Sequence, residues 1–222
     1  MLLALSLGSE TKNNMRVVDI SLHEPQDRAL AEALVSLTEG GVVAFPTETA
    51  YGLAAIPTNA SGVEKIYAIK GRDRSKPLPL IAATTEDVEK LIEISDQLDA
   101  LIHKYWPGPL TIVAPIKKRL AGQYESVLGP NNTVAIRVSS LEIARLLAAA
   151  AGGIITSTSA NLSNQPTIYS GDEVRHAYFQ QKIQPNIILN AGALPQRPTS
   201  TIVQEQNGKI VVIREGAIKI KP

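Results

Sequence analysis

Short apolar runs, each cut off by glycine, proline or a polar segment, decide what this chain can fold into. Val42-Val43-Ala44-Phe45 stops at Pro46, Pro77 to Ala82 follows a basic stretch, and Ile154-Ile155-Thr156 runs into a row of hydroxyl residues. Such runs are too short for helices and suit strands buried on both faces. Further strands are predicted over 111–115, 133–138 (with alternating character) and 187–189. Thr201-Ile202-Val203 and Ile210 to Ile213 flank Asn207-Gly208 and read as a hairpin. Segments of helical period lie between the runs. Residues 26–39 put Ala29, Leu30, Ala33, Leu34 and Leu37 on one face before Gly40-Gly41 stops the helix. Residues 60–69 turn Val63, Ile66 and Ile69 inward. Residues 86–104 hold one or two helices, 141–151 an alanine- and leucine-rich one, and 171–181 a short one. Strands interleaved with helices predict one α/β domain, and the closing hairpin makes its sheet mixed.

Composition removes whole classes of chemistry. The 222 residues fit a single domain, and no cysteine is present. Thiolate catalysis, cysteine-ligated zinc and iron–sulfur clusters are therefore excluded. His23, His103 and His176 are too scattered to predict a metal site. The formal charge is +1 and aromatic residues make up 4% of the chain, which speaks against a protein that grips nucleic acid by charge or stacking alone. No apolar run is long enough to span a membrane, and a cytoplasmic location is expected. Met15 opens the domain-like run, so residues 1–14 read as a disordered leader or a consequence of start-site choice, and 15–222 as the domain.

The sequence carries neither phosphate-binding glycine motif, Gly-x-x-x-x-Gly-Lys-Ser/Thr or Gly-x-Gly-x-x-Gly, and no Gly-x-Ser-x-Gly nucleophile elbow. Three polar segments leave the predicted strands and helices instead. Lys70 and Arg72 follow a helix directly. Lysine offers an anion a point charge and arginine a planar fork of donors, although a solvated basic turn is an equal reading. Ser157-Thr158-Ser159-Ala160-Asn161 ends a strand, and in extended geometry Ser159 and Asn161 face the same way; a capped turn is the plainer alternative. Thr47, Thr49 and Tyr51 alternate within a polar segment, 47–53, read as a loop whose hydroxyls can orient a small substrate. Glu48 can meet an ammonium or a metal, and a water-facing side chain is the preferred reading. Without a nucleophile–base pair, the chemistry expected is positioning and charge stabilisation, as in transfer at an activated phosphate.

At these segments the sequence resembles the YrdC/Sua5 family of threonylcarbamoyl-adenylate synthases. The matching blocks are residues 41–53 (GVVAFPTETAYGL), 66–80 (IYAIKGRDRSKPLPL), 106–111 (WPGPLT), 134–138 (VAIRV), 156–161 (TSTSAN) and 200–203 (STIV), followed by Arg214-Glu215-Gly216. The family signature pairs Lys-x-Arg, here Lys70 and Arg72, with Ser-x-Asn, here Ser159 and Asn161. The resemblance implies a single-domain YrdC-like fold, a twisted open mixed β-sheet flanked by helices. It also implies synthesis of threonylcarbamoyl-AMP and pyrophosphate from L-threonine, bicarbonate or CO2, and ATP. Mg2+ would be bound mainly through the ATP phosphates.

The same resemblance assigns roles. Lys70 and Arg72 are the catalytic anion clamp. Thr47, Thr49 and Tyr51 form the threonine pocket. Ser157, Ser159, Asn161, Arg137, Ser200 and Arg214 line the nucleotide side. The product would pass to the tRNA threonylcarbamoyl-transferase machinery that makes N6-threonylcarbamoyladenosine at tRNA position 37, with weak tRNA contact allowed and no membrane role. Two rival readings stand beside it. One is an RNA-binding branch of the fold acting in ribosome or tRNA maturation; the other is a carbamoyl-handling module of hydrogenase maturation, usually longer and equipped with extra domains. Some family members carry a histidine after the Pro-Leu strand; here that stretch reads Leu80-Ile81-Ala82-Ala83.

Overall fold

The computed structural model describes residues 15–24 and 26–220. The leader expected at 1–14 lies outside them. The chain opens with β1 (Arg16–Asp19), α1 (Asp27–Thr38), β2 (Val43–Pro46), β3 (Tyr51–Ala54) and α2 (Ala60–Lys70). It continues through β4 (Leu80–Ala82), α3 (Thr85–Leu91), α4 (Asp96–Tyr105), β5 (Leu110–Pro115) and β6 (Thr133–Val138). Then come α5 (Glu142–Ala150), β7 (Ile154–Thr156), β8 (Thr158–Ser159), α6 (Gly171–Tyr178), β9 (Ile187–Asn190), β10 (Thr201–Gln206) and β11 (Lys209–Arg214).

The class is α/β with mixed strand order, as expected, but the strands divide between two sheets. The first runs β1-β9-β2-β3-β8 and the second β11-β10-β5-β6-β4-β7. The handover is made by a single residue. Thr156 closes β7 in the second sheet, Thr158 opens β8 in the first, and Ser157 lies between, its N–H donating to Pro79 O at 2.7 Å. The wholly buried Thr156 stitches the sheets together: its Oγ1 accepts from Ala55 N at 2.8 Å. Nothing in the run Thr156-Ser157-Thr158 marks this break, so the sequence reads as one sheet.

One core cluster joins the sheets, with Ala44 and Leu53 from the first and Leu80, Ile112 and Ile136 from the second. A second cluster packs α1 on α5, where Ala29, Ala33, Ala144 and Ala148 keep the two helices close. Burial of these apolar faces is the main driving force for the arrangement.

Two local expectations change. Residues 47–53 are not all loop: β3 pairs antiparallel with β2, Pro46 opposite Tyr51, leaving only the turn 47–50. Tyr51 and Leu53 are wholly buried, so an apolar strand face outweighs the polar look of the segment. Strand β6 also does not alternate; only Ala135 is half-buried and the rest are buried, because β6 lies between β5 and β4.

Candidate active site

A cleft of about 220 Å3 opens at the seam between the sheets. It is lined by Thr47, Thr49 and Tyr51 from the β2–β3 turn, Ser157 and Ser159 from the handover, Arg72, Arg137, Ser200 and Arg214. Every residue the sequence singled out for the site is therefore in this lining except Lys70 and Asn161. Residues the sequence does not single out include Pro79, Leu80, Thr111, Thr167, Thr199 and Ile202. Short hydroxyl and apolar residues carry no signal of their own, and only the topology brings them together. Among the described residues no Asp or Glu belongs to the lining.

The turn is built by Thr47. Its Oγ1 donates to Ala50 O at 2.7 Å and accepts from the N–H groups of Thr49 and Ala50, each at 3.2 Å. Thr47 thus spends its hydroxyl on the backbone and presents Thr49, whose own hydroxyl lies 3.1 Å from it. The Tyr51 hydroxyl is also spent, donating to Gly192 O and accepting from Ala191 N, both at 2.9 Å. Burial raises its pKa. Of the three expected substrate hydroxyls, Thr49 is the one half-exposed to the cleft.

Lys70 and Arg72 separate. Helix α2 ends at Lys70, and Gly71 takes the left-handed conformation (φ +58°), its N–H donating to Ala68 O and the N–H of Arg72 to Tyr67 O. That reversal sends the two side chains different ways. Lys70 is 3% exposed and donates to Ser159 O and to Asn161 O, the latter at 2.6 Å. Its own carbonyl accepts from Ser163 N at 3.0 Å. Burial, and then the neighbouring Arg72 charge, push its pKa down to about 8. Lys70, expected to clamp substrate oxygens, is placed beside the cleft and not in its lining, with its ammonium donating to two backbone carbonyls of the Ser159–Asn161 segment. Arg72 does line the cleft. Its Nε and Nη2 donate to Lys76 O and Pro77 O, both at 3.2 Å, which aims the guanidinium without pairing it to a carboxylate.

Ser159 and Asn161 do not share a direction either. Ser159 lines the cleft; Asn161 faces a neighbouring groove, where its Nδ2 donates to Leu162 O at 3.0 Å and Gln165 O at 2.6 Å. The chain leaves extended geometry here because its carbonyls are pulled inward. Lys70 takes those of Ser159 and Asn161, and the Tyr178 hydroxyl takes that of Ala160 at 2.7 Å. Among the described residues its buried Oδ1 meets no donor, so Asn161 neither makes the capping bond of the plainer alternative nor lines the cleft.

The second-sheet wall is cross-linked. Arg214 donates from Nη2 to Ser200 O at 2.8 Å and Ser200 Oγ at 3.2 Å, and Ser200 Oγ lies 2.8 Å from Thr111 Oγ1. Arg137 donates from Nη1 to Glu48, whose other oxygen accepts from Ser139. Glu48 is thus buried against a guanidinium, in place of the water-facing side chain first preferred. Burial lowers the pKa of Arg137, Glu48 opposes that effect, and Arg214 adds to it. Arg72, Arg137 and Arg214 converge on one cleft with serine and threonine hydroxyls between them. This arrangement holds an anion rich in oxygens and stabilises charge as it shifts between them.

The Sua5/YciO/YrdC family, described as telomere recombination, matches residues 35–216. A protein of Halorhodospira halophila named threonylcarbamoyl-AMP synthase is 38% identical over 75% of this chain and 85% of its own length. One of the same name from Chromobacterium violaceum is 31% identical over 84% of this chain and 94% of its own. Among solved structures, Pyrococcus abyssi Sua5 complexed with L-threonine superposes with a TM-score of 0.78 at 32% identity, covering 91% of this chain. This chain spans 57% of that larger protein.

Proposed function

Because this chain belongs to the Sua5/YciO/YrdC family, we propose that its cleft performs the reaction for which those relatives are named. It is a threonylcarbamoyl-AMP synthase, a nucleotidyltransferase that consumes L-threonine, bicarbonate or CO2, and ATP. The threonine amine attacks the carbon of CO2, forms the N–C bond and gives up a proton, leaving a carbamate. A carbamate oxygen then attacks the α-phosphorus of ATP, and the bond to the β-phosphate oxygen breaks to release pyrophosphate.

The observation that carries this reading is the convergence of Arg72, Arg137 and Arg214 on a lining to which, among the described residues, no carboxylate belongs. The reactants are a carboxylate, a carbamate and a triphosphate, so an acidic lining would repel them. Arg72, which is held by carbonyls alone, stabilises charge on the leaving group. Thr49 and Ser159 orient the smaller partners, and Arg214 with Ser200 holds the nucleotide side. Mg2+, when bound, neutralises part of the triphosphate charge. Among the described residues no group of three His, Asp or Glu side chains is placed to hold a metal. The lining fits an ion carried by phosphates, with the hydroxyls of Ser157 and Ser159 as the groups able to complete its shell.

The product serves N6-threonylcarbamoyladenosine synthesis in tRNA, passing to the transferase machinery in the cytoplasm. No helix among the described residues is long and apolar enough to cross a membrane. Relatives named as synthases do not favour the RNA-binding alternative. The test is pyrophosphate release by purified protein with Mg2+. Release is expected only when ATP, threonine and bicarbonate are all present; release independent of threonine, or none from folded protein, overturns the reading.

A further inference from the structure

Glu48 stands outside the cleft lining yet bonds to Arg137, which belongs to it, and to Ser139 behind. It belongs to the turn between β2 and β3, in the first sheet. Its partners lie in the second, Arg137 within β6 and Ser139 just beyond it. The Glu48 side chain is 5% exposed and that of Arg137 9%, and Ser139 is wholly buried. A carboxylate desolvated this far persists only where it is paired and hydrogen-bonded. Both Glu48 oxygens are used, one by each partner. The backbone beneath is pinned as well, by the Thr47 hydroxyl accepting the N–H groups of Thr49 and Ala50.

Arg137 is the complementary case. A guanidinium carries five N–H donors. Only Nη1 is matched, to Glu48; among the described residues no acceptor takes the others, and Arg137 lines the cleft. A nearly buried arginine with unmatched donors facing a polar cleft is arranged to receive a ligand's oxygens. We propose that Glu48 is a positioning residue: with Ser139 it fixes the Arg137 guanidinium so that the unmatched donors meet an anionic group of the substrate. This rests on the synthase reading in one respect, that the ligand is threonine or ATP. The competing idea is a simple staple between sheets, which would stabilise the fold without acting through Arg137.

A double-mutant cycle separates the two. Calorimetric affinities for L-threonine and for ATP–Mg2+ are measured for wild type, E48A, R137K and E48A/R137K, with thermal melting alongside. Loss of one charge-assisted hydrogen bond predicts that E48A weakens one of the two ligands on the order of ten-fold. In the R137K background the same change weakens it less than about two-fold, because the guanidinium it positioned is gone. E48Q, which keeps an acceptor for Nη1, recovers most of the affinity. Where E48A does not fold, E48L fills the volume and takes its place in the cycle. Equal losses in both backgrounds, or unchanged affinity in E48A, overturn the proposal while leaving the synthase reading intact. Failure of wild type to bind either ligand overturns the synthase reading and this inference with it.

Discussion

The two walls of the cleft are held by different means. On the second-sheet side, Arg137 is paired with a buried carboxylate, and Arg214, Ser200 and Thr111 form a chain of hydrogen bonds. On the other side, Arg72 sits just past a helix end, tied only to two carbonyls of its own loop. The first wall is fixed before any ligand arrives. The second keeps a full positive charge available for the moment when charge moves. A preorganised frame suits binding groups that stay put, and a less committed guanidinium suits a leaving group that gains charge.

The largest expected effect breaks the contrast at its less committed side. Arg72→Ala should lower kcat by roughly a hundred- to a thousand-fold, the scale of losing one preorganised charge contact. Its melting temperature should stay close to wild type, since its only bonds are to a surface loop. Parallel kinetics and melting decide this, and a large drop in melting temperature would mean that Arg72 is structural.

Lys70→Met comes next and acts through the loop. It removes the donor shared by the Ser159 and Asn161 carbonyls, which costs about 1–3 kcal/mol for each buried group left unmatched. Activity should fall with stability, unlike in Arg72→Ala. The pH dependence has a definite sign. The Lys70 pKa falls to about 8 on folding, so between that value and its ordinary value the unfolded chain binds more protons. Wild type should therefore gain stability relative to Lys70→Met as pH rises from about 8 towards 10, by no more than about 3 kcal/mol. Chemical denaturation at several pH values checks it; a difference that shrinks as pH rises would contradict the buried ammonium.

Thr111→Val sharpens the fixed wall by removing one hydroxyl from its chain. It should destabilise by about 1 kcal/mol and raise the KM for ATP a few-fold through the loosened Ser200 and Arg214. Gly71→Ala is the smallest and most local. No atom lies within 4 Å of the added Cβ, so only the left-handed backbone resists it, at about 1–2 kcal/mol. Urea denaturation measures both.

Much of this was legible in the sequence, and what was not has physical reasons. Helices α1, α2 and α5 show in their apolar period, and most strands in their runs. Arg72, Arg137, Ser200 and Arg214, singled out from the sequence, line one cleft. The Lys-x-Arg and Ser-x-Asn pairs each place one member in the cleft lining and one beside it, because spacing fixes direction only within regular structure. Gly71 reverses the chain between the first two, and the pinned carbonyls turn it between the second. Glu48 was undervalued because its partner lies 89 residues away in sequence. No local pattern announces a carboxylate that will meet a buried arginine.

The central claim is that the arginine-lined cleft joins threonine, CO2 and ATP into one adenylate. Incubation with 13C-labelled bicarbonate, followed by mass spectrometry of the nucleotide product, tests it most directly. The account predicts threonylcarbamoyl-AMP carrying the label, formed in equal amount with pyrophosphate and lost in Arg72→Ala. AMP and pyrophosphate without a labelled adduct, or labelled adduct at full rate from Arg72→Ala, would contradict it.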